Sequence, residues 1–252
     1  MDYFNIKGKK AIVTGGSRGL GRGMAEGLMN AGVEVILFAT TPKIIEIAKE
    51  YRDKGFQCHG ISVDIGNQEL REAAFHDAMQ ILGGKLDILV NAAGIQRRHK
   101  SEEFPLEDWN DVININLTSV FALCQLAAKE MIKQKKGKII NIASLLSFFG
   151  GYTVSAYAAS KGGVAQLTKA FSNEWAGYGI NVNALAPGYM DTEMNTALIN
   201  DEGRNTEILA RIPAKRWGTP EDMAGAALFL ASPASDYVNG AVIPVDGGYL
   251  GR

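Results

Sequence analysis

The sequence predicts an α/β fold: a single doubly wound domain on a seven-stranded, mainly parallel sheet with helices on both faces. Three observations predict it. Short apolar runs alternate with longer stretches of helical periodicity along the whole chain. Runs such as 33–38 and 86–90 are apolar nearly throughout, as strands covered on both faces must be. A length of 252 residues suits one such domain and can bury a full core.

The elements follow in order. Lys10-Ala11-Ile12-Val13-Thr14 reads as the first strand and runs into Gly15-Gly16-Ser17-Arg18-Gly19-Leu20-Gly21. A helical pattern covers 19–30. The second strand is 33–39, and a helix follows over 43–54. The third strand, 56–63, precedes a helix over 67–82 that stops at Gly83-Gly84. The fourth strand is 86–91. A long apolar helix is expected over 105–135, then a strand over 137–143, a helix over 153–177 and a strand over 180–186. A helix over 220–231 and a strand over 241–245 close the chain. Only 192–217 breaks the alternation. It is polar, rich in Asn, Asp, Glu and Thr, and bounded by Pro187-Gly188 and Gly218-Thr219-Pro220. Such an excursion is expected to be a short helical lid over a substrate.

Composition narrows the function. The chain is 46% hydrophobic and 21% charged, with a formal net charge of −1. That lacks the basic excess which nucleic acid or an anionic membrane selects. No apolar stretch is read as long enough to span a membrane. Met1-Asp2-Tyr3-Phe4-Asn5 lacks the basic-then-apolar pattern of a secretory leader, so the cytoplasm is the expected setting. Cys58 and Cys124 form no disulfide framework, and His59, His76 and His99 are scattered, so no metal site is expected.

Two constellations carry chemistry. The strand, glycine-rich turn and helix start at 10–30 form a phosphate site. A helix N-terminus offers free N–H groups and a positive dipole end, and glycines allow close approach of a pyrophosphate. Further on, Tyr157 and Lys161 are four apart in an expected helix, hence on one face, with Ser144 upstream. A cation beside a phenol favours phenolate and lowers its pKa from about 10, which makes a base of tyrosine. An ordinary surface pair of Tyr and Lys is the bland alternative.

The motifs in order make the chain resemble the short-chain dehydrogenase/reductase family. Thr14-Gly15-Gly16-Ser17-Arg18-Gly19-Leu20-Gly21 is similar to its cofactor motif, and Asn91-Ala92-Ala93-Gly94 to the motif after its fourth strand. Asn116, Ser144, Tyr157 and Lys161 match its catalytic tetrad, and Pro187-Gly188 with Thr192 its nicotinamide-side segment. The resemblance spans nearly the whole chain. It implies a Rossmann-like domain and reversible hydride transfer between a nicotinamide cofactor and a carbinol carbon. Tyr157 would pass the proton, Lys161 would depress the tyrosine pKa, and Ser144 would hold the substrate oxygen. Asn116 would hold a water leading from Lys161 to solvent; Asn114 is a rival by residue type.

The same resemblance places Gly15, Ser17, Arg18, Gly19, Leu20 and Gly21 along the pyrophosphate and adenosine ribose. It sets Asp64 and Ile65 at the adenine, Asn91 and Ala92 at the ribose, and Pro187, Gly188, Met190 and Thr192 at the carboxamide. Asp64 has a competing reading as a helix N-cap. The end of the second strand is Phe38-Ala39-Thr40-Thr41, with neither the acid expected for a ribose 2′-hydroxyl nor an arginine for a 2′-phosphate; Lys43 is the nearest cation. NAD is the expected cofactor, with NADP left open. A homotetramer built through the 112–132 and 153–177 helices is also implied.

Further stretches resemble members that act on deoxy sugar acids: Ile95-Gln96-Arg97-Arg98, 142–148, 186–190, 211–218 and 235–240. The implied partner is a small sugar-acid substrate, with no nucleic acid and no membrane. Its carboxylate calls for a bidentate arginine. Arg97 is the first candidate; Gln96, Ser147, Tyr189 and Arg216 are secondary. A solvated charge run at 97–100 is the competing reading. A gluconate oxidoreductase and a 3-oxoacyl-thioester reductase remain alternatives within catalysis, and a dinucleotide-binding redox sensor outside it.

Overall fold

The computed structural model describes residues 2–252. Its strands are β1 (Lys10–Thr14), β2 (Glu34–Ala39), β3 (Cys58–Ser62), β4 (Ile88–Asn91), β5 (Gly137–Ile142), β6 (Ile180–Pro187) and β7 (Val242–Val245). They form one sheet in the order β3-β2-β1-β4-β5-β6-β7, and every pairing is parallel. The order reverses between β1 and β4. In such sheets the ligand crevice opens at that reversal, beyond the carboxyl ends of the strands.

The helices are α1 (Gly19–Asn30), α2 (Ile44–Asp53), α3 (Gln68–Ile81), α4 (Leu106–Ile113), α5 (Ser119–Gln134), α6 (Ser155–Trp175), α7 (Thr196–Ile199), α8 (Glu202–Arg211) and α9 (Pro220–Ala231). Side chains on neighbouring strand positions point to opposite faces. Val13, Val35 and Leu37 therefore join a core with α1, α2 and α9, while Ile12, Ile36 and Phe38 join one with α3, α5 and α6. A small third cluster lies under α8.

Two expectations change. The 105–135 helix is not uniform: residues Asn114–Thr118 form a π turn between α4 and α5. Asn114 and Asn116, two apart, face different neighbours, as residues at that spacing do on any helix. The stretch Leu106–Gln134 is also long and apolar enough to cross a membrane, contrary to the sequence expectation. Its apolarity has a local explanation: Leu123, Cys124, Ala127 and Met131 pack on the sheet. The segment 192–217 holds two short helices, α7 and α8.

Candidate active site

The floor of the crevice is built from the end of β1. Thr14 Oγ1 accepts hydrogen bonds from Ala92 N and Ala93 N, both at 3.0 Å, and so pins the chain leaving β4 against the glycine turn. Gly15 has φ 69°, and a Cβ there would lie 2.9 Å from Ala93 Cα, so only glycine fits. The first turn of α1 carries no acidic residue, and its N-cap Arg18 makes no side-chain cap. Its N–H groups thus face the crevice as an anion cradle, and the residues present fit a dinucleotide pyrophosphate. Arg18 Nη1 itself pairs with Glu193 Oε2 at the start of the 192–217 segment.

Beyond β3, the N-cap of α3 is Asn67, whose Oδ1 accepts from Leu70 N at 3.0 Å. The N-cap alternative for Asp64 therefore falls. Asp64 stays exposed, with Oδ1 accepting from Gly66 N at 2.9 Å. Asn114 Nδ2 donates to Gly66 O at 3.0 Å and steadies this loop, while the Ile65 side chain is buried beneath it.

Asn116 faces the other way and is fully buried. Its Oδ1 accepts from Ile95 N at 2.8 Å; its Nδ2 donates to Ile95 O at 2.9 Å and to Ser160 Oγ at 3.2 Å. A Cβ on Gly94 would lie 3.3 Å from Asn116 Oδ1 and 3.8 Å from Lys161 Nζ, which shows how closely these residues meet. The Asn116 amide is spent on holding the loop after β4, which leaves its backbone for any water.

Ser144 follows β5 and caps a 3-10 turn, Leu145–Ser147; its Oγ accepts from Leu146 N at 3.1 Å. Ser147 Oγ accepts from Ser144 N at 3.3 Å and donates to Lys161 O at 2.7 Å. Ser147 thus ties the serine turn to α6 and has no proton left for a substrate. Tyr157 is half-buried, and Lys161 is buried. Lys161 Nζ donates to Ile142 O at 2.6 Å and lies 5.6 Å from the Tyr157 ring centre. Burial lowers Lys161 to about 8. Burial raises the Tyr157 phenol above its ordinary 10, and the Ser144 hydroxyl draws it back down. The expected depression of Tyr157 by Lys161 is not a feature of this geometry. The helix does bring the two together, but the ammonium faces the ring and a backbone carbonyl.

The substrate candidates separate. Arg97 lies 3.4 Å from Asp108 and 3.7 Å from Asp111, so its charge is already met. Arg216 is bidentate with Asp222, at 2.6 and 2.8 Å. Arg98 is exposed and has no acidic partner among the described residues, which makes it the freer guanidinium. Gln96 is half-buried beside it. Tyr189 packs edge-on to Trp217, with ring centres 5.5 Å apart. Pro187 ends β6, Gly188 N donates to Val245 O at 2.9 Å, and Met190 is buried. Thr192 stands 3.7 Å from the Cβ position of Gly19, across the crevice.

Asn91 is the last residue of β4. Its side chain is buried and donates to Asn141 Oδ1 at 2.9 Å and to Cys124 Sγ at 3.2 Å, so only its backbone, with the half-buried Ala92, borders the crevice. Sequence reasoning missed Thr14 as a clamp. Its signal, a hydroxyl as the last residue of an apolar strand before glycine, was present.

A phosphate cradle at the switch point of a parallel sheet, facing a serine, a tyrosine and a buried lysine, defines a nicotinamide-dinucleotide-dependent oxidoreductase. The chain belongs to the short chain dehydrogenase family, whose pattern matches residues 9–203. It is 49% identical over 251 residues to the 2-dehydro-3-deoxy-D-gluconate 5-dehydrogenase of Bacillus subtilis strain 168, covering 100% of this chain and 98% of that protein. It is also similar to the crystal structure of a gluconate 5-dehydrogenase from Burkholderia cenocepacia J2315 in complex with NADP and tartrate. There the TM-score is 0.96 and the identity 42%, covering 100% of this chain and 98% of the other. A structure from Agrobacterium tumefaciens with bound NADP, provisionally named 2-deoxy-D-gluconate 3-dehydrogenase, matches at a TM-score of 0.93 and 47% identity, covering 100% of both chains.

Proposed function

We propose that this enzyme interconverts a secondary hydroxyl and a ketone on a deoxy sugar acid of the 2-dehydro-3-deoxy-D-gluconate type. The observation that carries the substrate class is the full-length identity of 49% to a 5-dehydrogenase of that compound. When bound, the dinucleotide accepts or supplies the hydride. The chain's own residues handle the oxygen and its proton. Ser144 holds the substrate oxygen by hydrogen bond, and Tyr157 takes its proton during oxidation and returns it during reduction. Lys161 keeps positive charge beside Tyr157 and restrains α6 through Ile142 O. Asn116 fixes the loop that borders both.

Gly15–Gly21 and the α1 N-terminus would hold the pyrophosphate, Asp64 and Ile65 the adenine, and Pro187, Gly188, Met190 and Thr192 the nicotinamide side. NAD was the sequence expectation. With Thr40, Thr41 and Lys43 where a 2′-hydroxyl-binding acid would stand, nothing repels a 2′-phosphate, and two relatives were crystallised with NADP. We assign use of both dinucleotides. Arg98 rather than Arg97 would meet the carboxylate, and 192–217 would close over the substrate. An apolar groove of about 460 Å³ between α5 and α6, lined by Phe121, Gly163 and Leu167, suits a contact between copies of the chain through these helices, the arrangement that the expected homotetramer needs.

The test is nicotinamide absorbance across a panel of sugar acids, polyols and acyl thioesters with NAD or NADP. Turnover concentrated on the deoxy sugar acid supports the reading. Preference for 5-ketogluconate would favour the second reading, a gluconate oxidoreductase, which the Burkholderia relative motivates.

A further inference from the structure

After β7 the chain turns through two successive left-handed glycines, Gly247 (φ 63°) and Gly248 (φ 91°). Asp246 fixes the turn by accepting from Gly248 N at 2.9 Å and from Leu250 N at 2.8 Å. The turn lies against the exit of the 192–217 segment. Gly247 O accepts from Ala214 N at 3.0 Å, and a Cβ on Gly247 would come within 3.0 Å of Ile212 Cγ2. Arg252 Nη1 reaches back to Ala210 O at 2.9 Å.

This turn buries Tyr249, which is 5% exposed although it lies at the end of the chain. Its ring stacks with Phe149, just beyond the serine turn, at 6.0 Å, and lies 5.4 Å from Tyr189, just beyond Pro187-Gly188. The guanidinium of Arg211 on α8 covers it at 4.7 Å. Leu145, the residue after Ser144, belongs to the same small cluster as Ile208, Ile212 and Tyr249, apart from the two cores of the sheet. Helix α8 buries only Ile208 within its own length, so its seat depends on this added aromatic surface.

We propose that Tyr249 is a positioning residue that seats α8 on the serine turn and so couples closure over the substrate to the placement of Ser144. The proposal rests on reading 192–217 as a lid. A wall shared by Leu145 and α8 cannot shift on one side without disturbing the other, because close-packed contacts are lost over fractions of an ångström.

The experiment compares Tyr249→Ala, Tyr249→Phe and Ile208→Ala in the full chain, with whichever sugar acid of the panel the parent enzyme turns over. Tyr249→Leu replaces the alanine variant should that one fail to fold. Three quantities are read: kcat and KM for the sugar acid, the dinucleotide Kd by fluorescence, and the thermal midpoint. Tyr249→Ala is expected to raise KM and lower kcat by about tenfold each, with Kd unchanged. Tyr249→Phe, which keeps the ring, restores both. Unchanged kinetics in Tyr249→Ala with impaired kinetics in Ile208→Ala would overturn the role of Tyr249 and leave the lid standing. Unchanged kinetics in both would overturn the lid as well. A phenylalanine variant as poor as the alanine one, or a parallel loss of Kd and thermal midpoint, would also overturn the proposal.

Discussion

Lys161 Nζ lies 5.6 Å from the centre of the Tyr157 ring and gives its hydrogen bond to the carbonyl of Ile142 at 2.6 Å. Helix α6 and β5 are thereby joined by a charged group with no carboxylate partner among the described residues. Burial works against both partners, raising the phenol and lowering the ammonium to about 8.

This has a thermodynamic consequence. The folded pKa of Lys161 lies below its ordinary 10.5, so between about 8 and 10.5 the unfolded chain binds the proton and the folded one does not. Stability therefore rises with pH across that window, and the burial cost is fully present below 8. Lys161→Met should abolish activity yet stabilise the fold at neutral pH by up to about 3 kcal/mol, less the lost bond to Ile142. The gain should shrink as pH rises toward 10. Denaturant midpoints at several pH values check it; a destabilised variant at pH 7 refutes the uncompensated-charge account.

Tyr157→Phe removes the hydroxyl proposed to carry the substrate proton and leaves the ring that packs α6. Turnover should fall by about 10³-fold or more while dinucleotide affinity holds. Pre-steady-state hydride transfer and a direct binding titration separate the two quantities. Residual activity within tenfold of the parent would assign the proton to another group.

Arg98→Ala should raise KM for a sugar acid by about 10- to 100-fold, as expected for a lost charge-assisted bond, and leave an uncharged polyol unaffected. Arg97→Ala should change KM far less, because Asp108 and Asp111 already hold that guanidinium. The reverse ranking would return the carboxylate to Arg97.

Thr14→Val keeps the side-chain volume and removes the oxygen that serves Ala92 N and Ala93 N. Two part-buried amides lose their acceptor, at a cost of about 2 kcal/mol. A lowered denaturant midpoint with an unchanged slope is the expected outcome, along with weaker dinucleotide binding, since the loop after β4 borders the crevice. No change in midpoint would mean that these amides find another partner.

Cofactor choice can be read at Lys43. Lys43→Glu should reduce kcat/KM with NADP by about tenfold while sparing NAD, because a carboxylate there repels the 2′-phosphate. Equal effects on both dinucleotides would place the 2′-phosphate elsewhere.

The strand and helix order was legible in the sequence because periodicity is a local property. All seven strands lie where apolar runs stop at glycine or a polar turn, within one or two residues at their ends. The glycine turn and the Tyr157–Lys161 spacing were legible for the same reason: a helix fixes what stands four residues away. What the sequence could not contain were distances between segments. Whether Arg97 or Arg98 is free depends on where α4 carries Asp108 and Asp111. Whether Asp64 or Asn67 caps α3 depends on one backbone turn. Asn114 and Asn116 look alike in the chain, yet, two apart on a helix, one faces Gly66 and the other Ile95. That the Asn91 side chain is spent inside the fold depends on Asn141 arriving from β5. By itself the sequence determined the class of chemistry, because that needs only a few groups at local spacings on a regular scaffold. Tertiary structure decided which of several similar groups is left with an unspent charge or hydrogen bond, because that is settled by neighbours arriving from distant parts of the chain.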